Sequence, residues 1–138
     1  MKNEDWKMEK HDINNLEDIQ CLVDSFYGKI RDHELLGAIF NHVIQDRWPQ
    51  HLKKMYSFWQ TVLLEEERTY FGAPFPPHAK LPVSALHFDE WVRLWHETVD
   101  HYFEGIRADE AKWRGSKMAT MFLSKIEYYQ NHSSHPLM

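Results

Sequence analysis

Proline stands at positions 74, 76, 77 and 82 of the stretch Tyr70-Phe-Gly-Ala-Pro-Phe-Pro-Pro-His-Ala-Lys-Leu-Pro82. Each proline fixes φ, removes a backbone donor and restricts the residue before it, so no long helix can run through this segment. It reads as a stiff loop with at most one or two helical turns, Pro77 being suited to a first helical position. His78 lies at its centre. A stiff backbone can hold an imidazole at one place and angle, as an axial metal ligand requires. The plainer alternative is a turn whose histidine faces water.

On either side of this loop the apolar residues recur at helical spacing. Leu16, Ile19, Val23, Phe26, Tyr27 and Ile30 share one arc at about 100° per residue, which predicts an amphipathic helix over roughly 12–31 with Asp12 as its N-cap. A short segment, Glu34 to Phe40, follows, and 41–46 reads as a connection with Asp46 as a candidate cap. A helix is predicted from about Arg47 to Leu64, with Pro49 in its first turn, where proline is tolerated. His51, Met55, Phe58 and Val62 fall on one strip of it, and Trp48, Leu52, Trp59 and Leu63 on the neighbouring strip. A strip that is apolar except for a histidine at one end can line a pocket, or His51 can simply edge a core face. Ser84 reads as the cap of a fourth helix reaching about Gly105, buried through Phe88, Trp91, Val92, Trp95, Val99, Tyr102 and Phe103. A fifth helix from about Ala108 to Tyr129 carries the stripe Ala111, Met118, Phe122, Ile126 and Tyr129. No strand pattern and no repeat appears, so the fold class is all-α. Residues 1–11 and 131–138 are expected to be flexible flanks of a single domain, 12–130.

Charge and cysteine content exclude several classes. The formal net charge is −5 and no basic block is present, which disfavours nucleic acid as a partner. One cysteine, Cys21, cannot form an internal disulfide, and a reducing cytoplasm suits it. No run approaches the ~20 apolar residues of a membrane span, and no apolar signal region opens the chain. The His-Glu-x-x-His and Glu-x-x-His metal motifs, the phosphate-cradling loop and the nucleophile elbow are all missing from the sequence. His96, Asp100 and His101 read as a solvated helix face rather than a surface metal site.

What remains is two histidines in a helical chain with six Trp, six Tyr and eight Phe. Haem suits such a set. Its iron needs a neutral imidazole, its faces need an apolar slot, and its propionates need basic or hydroxyl partners, for which Lys54, Tyr56, Arg68 and Lys80 are candidates. The ordered series Phe26-Tyr27, Ile39-Phe40-Asn41, Trp48-Pro-Gln-His51 with Phe58-Trp59, Tyr70-x-Gly72-x-Pro74 leading to His78-x-x-Leu81-Pro82, and Phe88-x-x-Trp91 resembles the truncated haemoglobins. The third group is the nearest, because the glycine pairs usual in the other groups are missing here.

The resemblance covers roughly residues 12–130. It implies a globin-like two-over-two helical sandwich around haem b (iron protoporphyrin IX). By position it makes His78 the proximal metal ligand, Tyr27 and Trp91 distal donors, His51 a distal gate and Phe40 an aromatic wedge against the porphyrin. Met55 and Phe58 would line the distal pocket, and Lys54 and Tyr70 complete the cofactor-binding set. It implies O2, NO and CO as ligands, with a reductase as electron donor if NO dioxygenation or peroxidase-like turnover occurs, in a monomer or weak dimer. Two alternatives stand beside it: a haem electron-transfer protein with both axial sites filled, and a haem-free helical interaction module.

Overall fold

The computed structural model describes residues 9–64, 78–79 and 81–133. Five α-helices form: α1 (Leu16–Asp32), α2 (Glu34–Ile44), α3 (Trp48–Leu64), α4 (Ala85–Tyr102) and α5 (Ile106–Ser133). A 3-10 turn, Gln45–Arg47, joins α2 to α3. Helix α1 packs against α3 and against α4, α4 packs against α5, and α3 touches α5. This is a globin-like two-over-two sandwich. No described helix is long and apolar enough to cross a membrane.

The helix starts show how local chemistry sets the boundaries. Asn15, not Asp12, caps α1: its Oδ1 accepts the Asp18 N–H at 2.9 Å. Asp12 instead reaches across the fold to the first turn of α5. Its carboxylate accepts the N–H groups of Arg107 and Ala108, each at 2.9 Å, as well as that of Ile13. A tertiary partner four helices away outcompetes the local one because those two donors would otherwise be orphans of a helix start. Gly105 makes the approach possible: its φ is +137°, and a Cβ there would stand 2.5 Å from Asp12 Cγ. Burial opposes ionisation of Asp12, but the backbone donors outweigh it and hold the carboxyl below its ordinary range. Beside it, His11 forms an isolated bridge with Phe103, so the segment expected to fray is already docked at residue 11.

Elsewhere α2 runs to Ile44, past the expected end at 40, and Asp46 lies inside the 3-10 turn rather than capping α3. Pro49 is the second residue of α3, where its missing N–H costs no helical bond. His33 caps α2, its Nδ1 accepting from Leu35 and Leu36 N–H, while Nε2 lies 3.1 Å from Glu90 of α4. Ser84 forms a capping box with His87, whose Nδ1 accepts the Ser84 N–H at 3.1 Å. Helix α5 continues past 129 to Ser133, into the expected tail. Tyr102, Tyr129 and Leu16, expected on buried faces, are exposed. Leu16 is the first residue of α1 and Tyr102 the last of α4, and Tyr129 lies near the C-terminal end of α5, where fewer neighbouring elements can cover a side chain.

The apolar core forms two clusters, with Met118 of α5 packed against both. The larger cluster joins α1, α3 and α4 through Phe26, Tyr27, Trp48, Trp59, Trp95 and Val99, with Phe40, Met55, Phe58 and Trp91 packed against it. The smaller is Val83, Phe122 and Ile126, with Ile39, Ala79, Leu81 and Phe88 against it. Neighbouring residues of one helix part between them: Ile39 from Phe40, and Phe88 from Trp91. Each fully buried aliphatic or aromatic side chain contributes ~1.5–3 kcal/mol, so the larger cluster carries most of the stability.

Candidate functional site

The division of the core places the candidate residues. Tyr27, in the fourth turn of α1, is 6% exposed and lies at the centre of an aromatic group. Its ring meets His51 edge-on at 5.2 Å, Phe26 edge-on at 4.9 Å, Trp48 at 5.7 Å and Phe40 at 6.1 Å. Trp48 also meets His51 edge-on at 5.6 Å. Packing thus fixes the ring of Tyr27 from four sides, yet its hydroxyl makes no hydrogen bond among the described residues. Burial pushes the phenol well above its ordinary range, so the oxygen keeps its proton and remains a donor.

His51 stands in the first turn of α3, beside Tyr27. Its Nε2 is fully buried with no hydrogen-bond partner among the described residues. Burial, then the charges of His78 and Lys54, push the imidazole down to about 4. The ring is therefore neutral at pH 7, and one nitrogen can accept or donate according to what it meets. Lys54 is exposed one turn along α3. Met55 and Phe58 are half-buried on the same strip, against the larger cluster.

Trp91, on α4, is half-buried. Phe26 meets it edge-on at 5.3 Å, and Trp95 stacks on it at 6.0 Å with 16° between the planes. Its indole N–H makes no hydrogen bond among the described residues. On the opposite side, His78 packs on Phe122 of α5 with ring centroids 4.9 Å apart. Its carbonyl accepts the Leu81 N–H at 3.1 Å, which closes one short turn, as the prolines require.

Tyr27, Phe40, His51, Met55, Phe58 and Trp91 thus come together on the larger cluster, with His78 on the smaller. Tyr70, Arg68 and Lys80 lie outside the described residues. Tyr56, expected near a propionate, points elsewhere: its hydroxyl donates to Asp24 Oδ1 of α1 at 2.5 Å. The side-by-side packing of α1 and α3 sets that carboxylate opposite it. Burial and this bond push the phenol up to about 12. Sequence reasoning passed over Trp48, which walls both Tyr27 and His51, and Phe122, which supports His78. Both lay on recognised apolar stripes, but spacing alone cannot say which stripe member meets a polar ring. His96, Asp100 and His101 form no metal cluster among the described residues. His96 Nε2 lies 2.8 Å from Ser116 Oγ, and Asp100 pairs with Lys112 at 2.7 Å.

No protein-family model matches the chain. A group 3 truncated haemoglobin of Campylobacter jejuni is 31% identical over 127 residues, which cover 89% of this chain and 99% of that one. The crystal structure of the group III truncated haemoglobin from Campylobacter jejuni superposes with a TM-score of 0.76 at 30% identity, over 86% of this chain and 95% of that chain. The order of helices, the divided core and this similarity over nearly the full length agree: the chain belongs to the group 3 truncated haemoglobins.

Proposed function

We propose that the protein binds dioxygen reversibly, and NO and CO with it, at a haem b whose iron is held by His78. Haem is the prosthetic group that membership of this globin family implies. The observation that carries the reading is the buried, unpartnered Nε2 of His51. Buried polar atoms are paired in more than about nine cases in ten, so an orphan beside a second unpaired donor, Tyr27, calls for a partner that the polypeptide does not supply. An apolar core parted between two histidines supplies the rest of the fit.

When bound, the haem would supply an iron able to take up a diatomic ligand. The chain supplies the remainder. The His78 imidazole, packed on Phe122, would hold the iron. Tyr27 O–H and Trp91 N–H donate to the outer, partly negative atom of a diatomic ligand, each contributing about 1–3 kcal/mol in a dry site. Neutral His51 stands at the pocket edge as a gate, and Phe40, Met55 and Phe58 exclude water. Strong donors slow ligand release, so bulk transport suits this site less than sensing or chemistry. Given a reductase as electron donor, it permits NO dioxygenation or peroxidase-like turnover. A cytoplasmic setting suits the single cysteine.

The test is the absorption spectrum of the purified protein, reduced, with and without CO. An intense band near the violet edge that shifts with CO is expected. A colourless protein would overturn the reading. The electrostatic influence of His78 on His51 supports one second reading, iron held by both imidazoles for electron transfer; a ferrous spectrum indifferent to CO would select it.

A further inference from the structure

Trp91 carries its donor on a ring that no hydrogen bond among the described residues holds. Its plane is set by packing alone, by the edge of Phe26 and the face of Trp95. Trp95 is the better anchored of the two indoles. It is 1% exposed, and its Nε1–H donates to the Ala111 carbonyl of α5 at 2.8 Å. Its ring also stacks on Trp59 of α3, with centroids 4.6 Å apart and 25° between planes. Phe26 meets it edge-on at 4.9 Å.

The place where Trp95 rests on α5 depends on a missing side chain. A Cβ at Gly115 would stand 2.5 Å from Trp95 Cδ1 and 2.7 Å from its Nε1. Gly115 is buried in the helix interior, where glycine costs about 1 kcal/mol relative to alanine. No positive φ explains it, since Gly105 alone among the described glycines has one. Room for the indole does explain it.

The geometry points to Trp95, seated on Ala111 and Gly115, as a positioning residue that sets the plane of Trp91 and so aims its N–H into the distal pocket. This rests on the reading of Trp91 as a ligand donor. An indole has one N–H, fixed in the ring plane, and a hydrogen bond weakens steeply as its angle closes toward ~120°. A tilt of the Trp95 face therefore reaches the ligand as a weaker bond. Helix α5 tunes ligand release through Trp95, without touching the ligand.

The experiment compares Trp95→Phe, Gly115→Ala, Trp91→Phe and the double variant Trp91→Phe/Trp95→Phe. Two quantities are read: dioxygen release from the reduced haem-loaded protein, and the circular-dichroism exciton couplet of the stacked indoles. Release is expected to speed about three- to tenfold in Trp95→Phe and Gly115→Ala, the loss of roughly one hydrogen bond. The couplet is expected to change in both. Trp95→Phe should add nothing once Trp91 is Phe, because coupled sites are not additive. Equal acceleration in both backgrounds, or no acceleration in either single variant, would overturn the inference. Gly115→Ala keeps every ring and decides the matter if Trp95→Phe does not fold. A parent protein without ligand binding would overturn the proposed function instead, while the couplet still reports whether Trp95 and Gly115 fix Trp91.

Discussion

The two sides of the candidate site are built by different means. On the distal side, three helices bring Tyr27, His51 and Trp91 together, and aromatic contacts hold each ring. On the proposed proximal side, His78 packs on the ring of Phe122, in the smaller cluster. The proposed distal side spends many packing contacts on rings whose polar groups meet no partner among the described residues. Donor direction is a matter of tens of degrees, which dense packing fixes.

The largest expected effect breaks the proximal side. His78→Ala should leave a folded but largely unpigmented protein, read as the ratio of haem to protein absorbance; full pigmentation would refute the assignment. Phe122→Ala should follow, lowering stability by about 3 kcal/mol, because a cluster of so few residues cannot close over the cavity. Urea unfolding measures it, and a loss below 1 kcal/mol would mean that this cluster supports nothing. Tyr27→Phe should sharpen the contrast. It should speed dioxygen release by about ten- to a hundredfold while leaving the melting temperature almost unchanged, since the hydroxyl makes no hydrogen bond among the described residues. A marked loss of stability with an unchanged rate would make Tyr27 structural.

A smaller effect lies outside both sides. Asp12→Ala should cost about 1–2 kcal/mol through loss of the α5 cap. Because the Asp12 carboxyl is depressed in the folded protein, its contribution is complete above the ordinary value of 3.8 and is lost as pH falls through the lower folded value. The parent should therefore lose part of its stability below about pH 4, and the variant less of it, in acid titrations of the melting temperature.

Much of this was legible in the residues. Apolar spacing located the five described helices and the ordered motifs pointed to the family, while most of the proline-rich stretch expected to be stiff lies outside the described residues. Helix ends were less legible. Asp12 looked like a local cap because spacing reports only neighbours, whereas its partners at 107 and 108 are neighbours in space alone. Likewise Tyr56 looked available until its partner Asp24 came into view on another helix. The unpaired state of the distal donors could not be read from sequence at all, because it depends on what every surrounding helix fails to offer.

The bond from Asp12 to the start of α5 joins positions 95 and 96 residues apart. Closing so large a loop is entropically costly, so it comes late, after the four intervening helices have shortened the distance. Until then the last helix lacks a finished first turn, and a partly synthesised chain cannot complete the seat on which Trp95 rests. Acquisition of a properly aimed distal pocket should thus be a post-translational event, coincident with the final latch rather than with the appearance of His78.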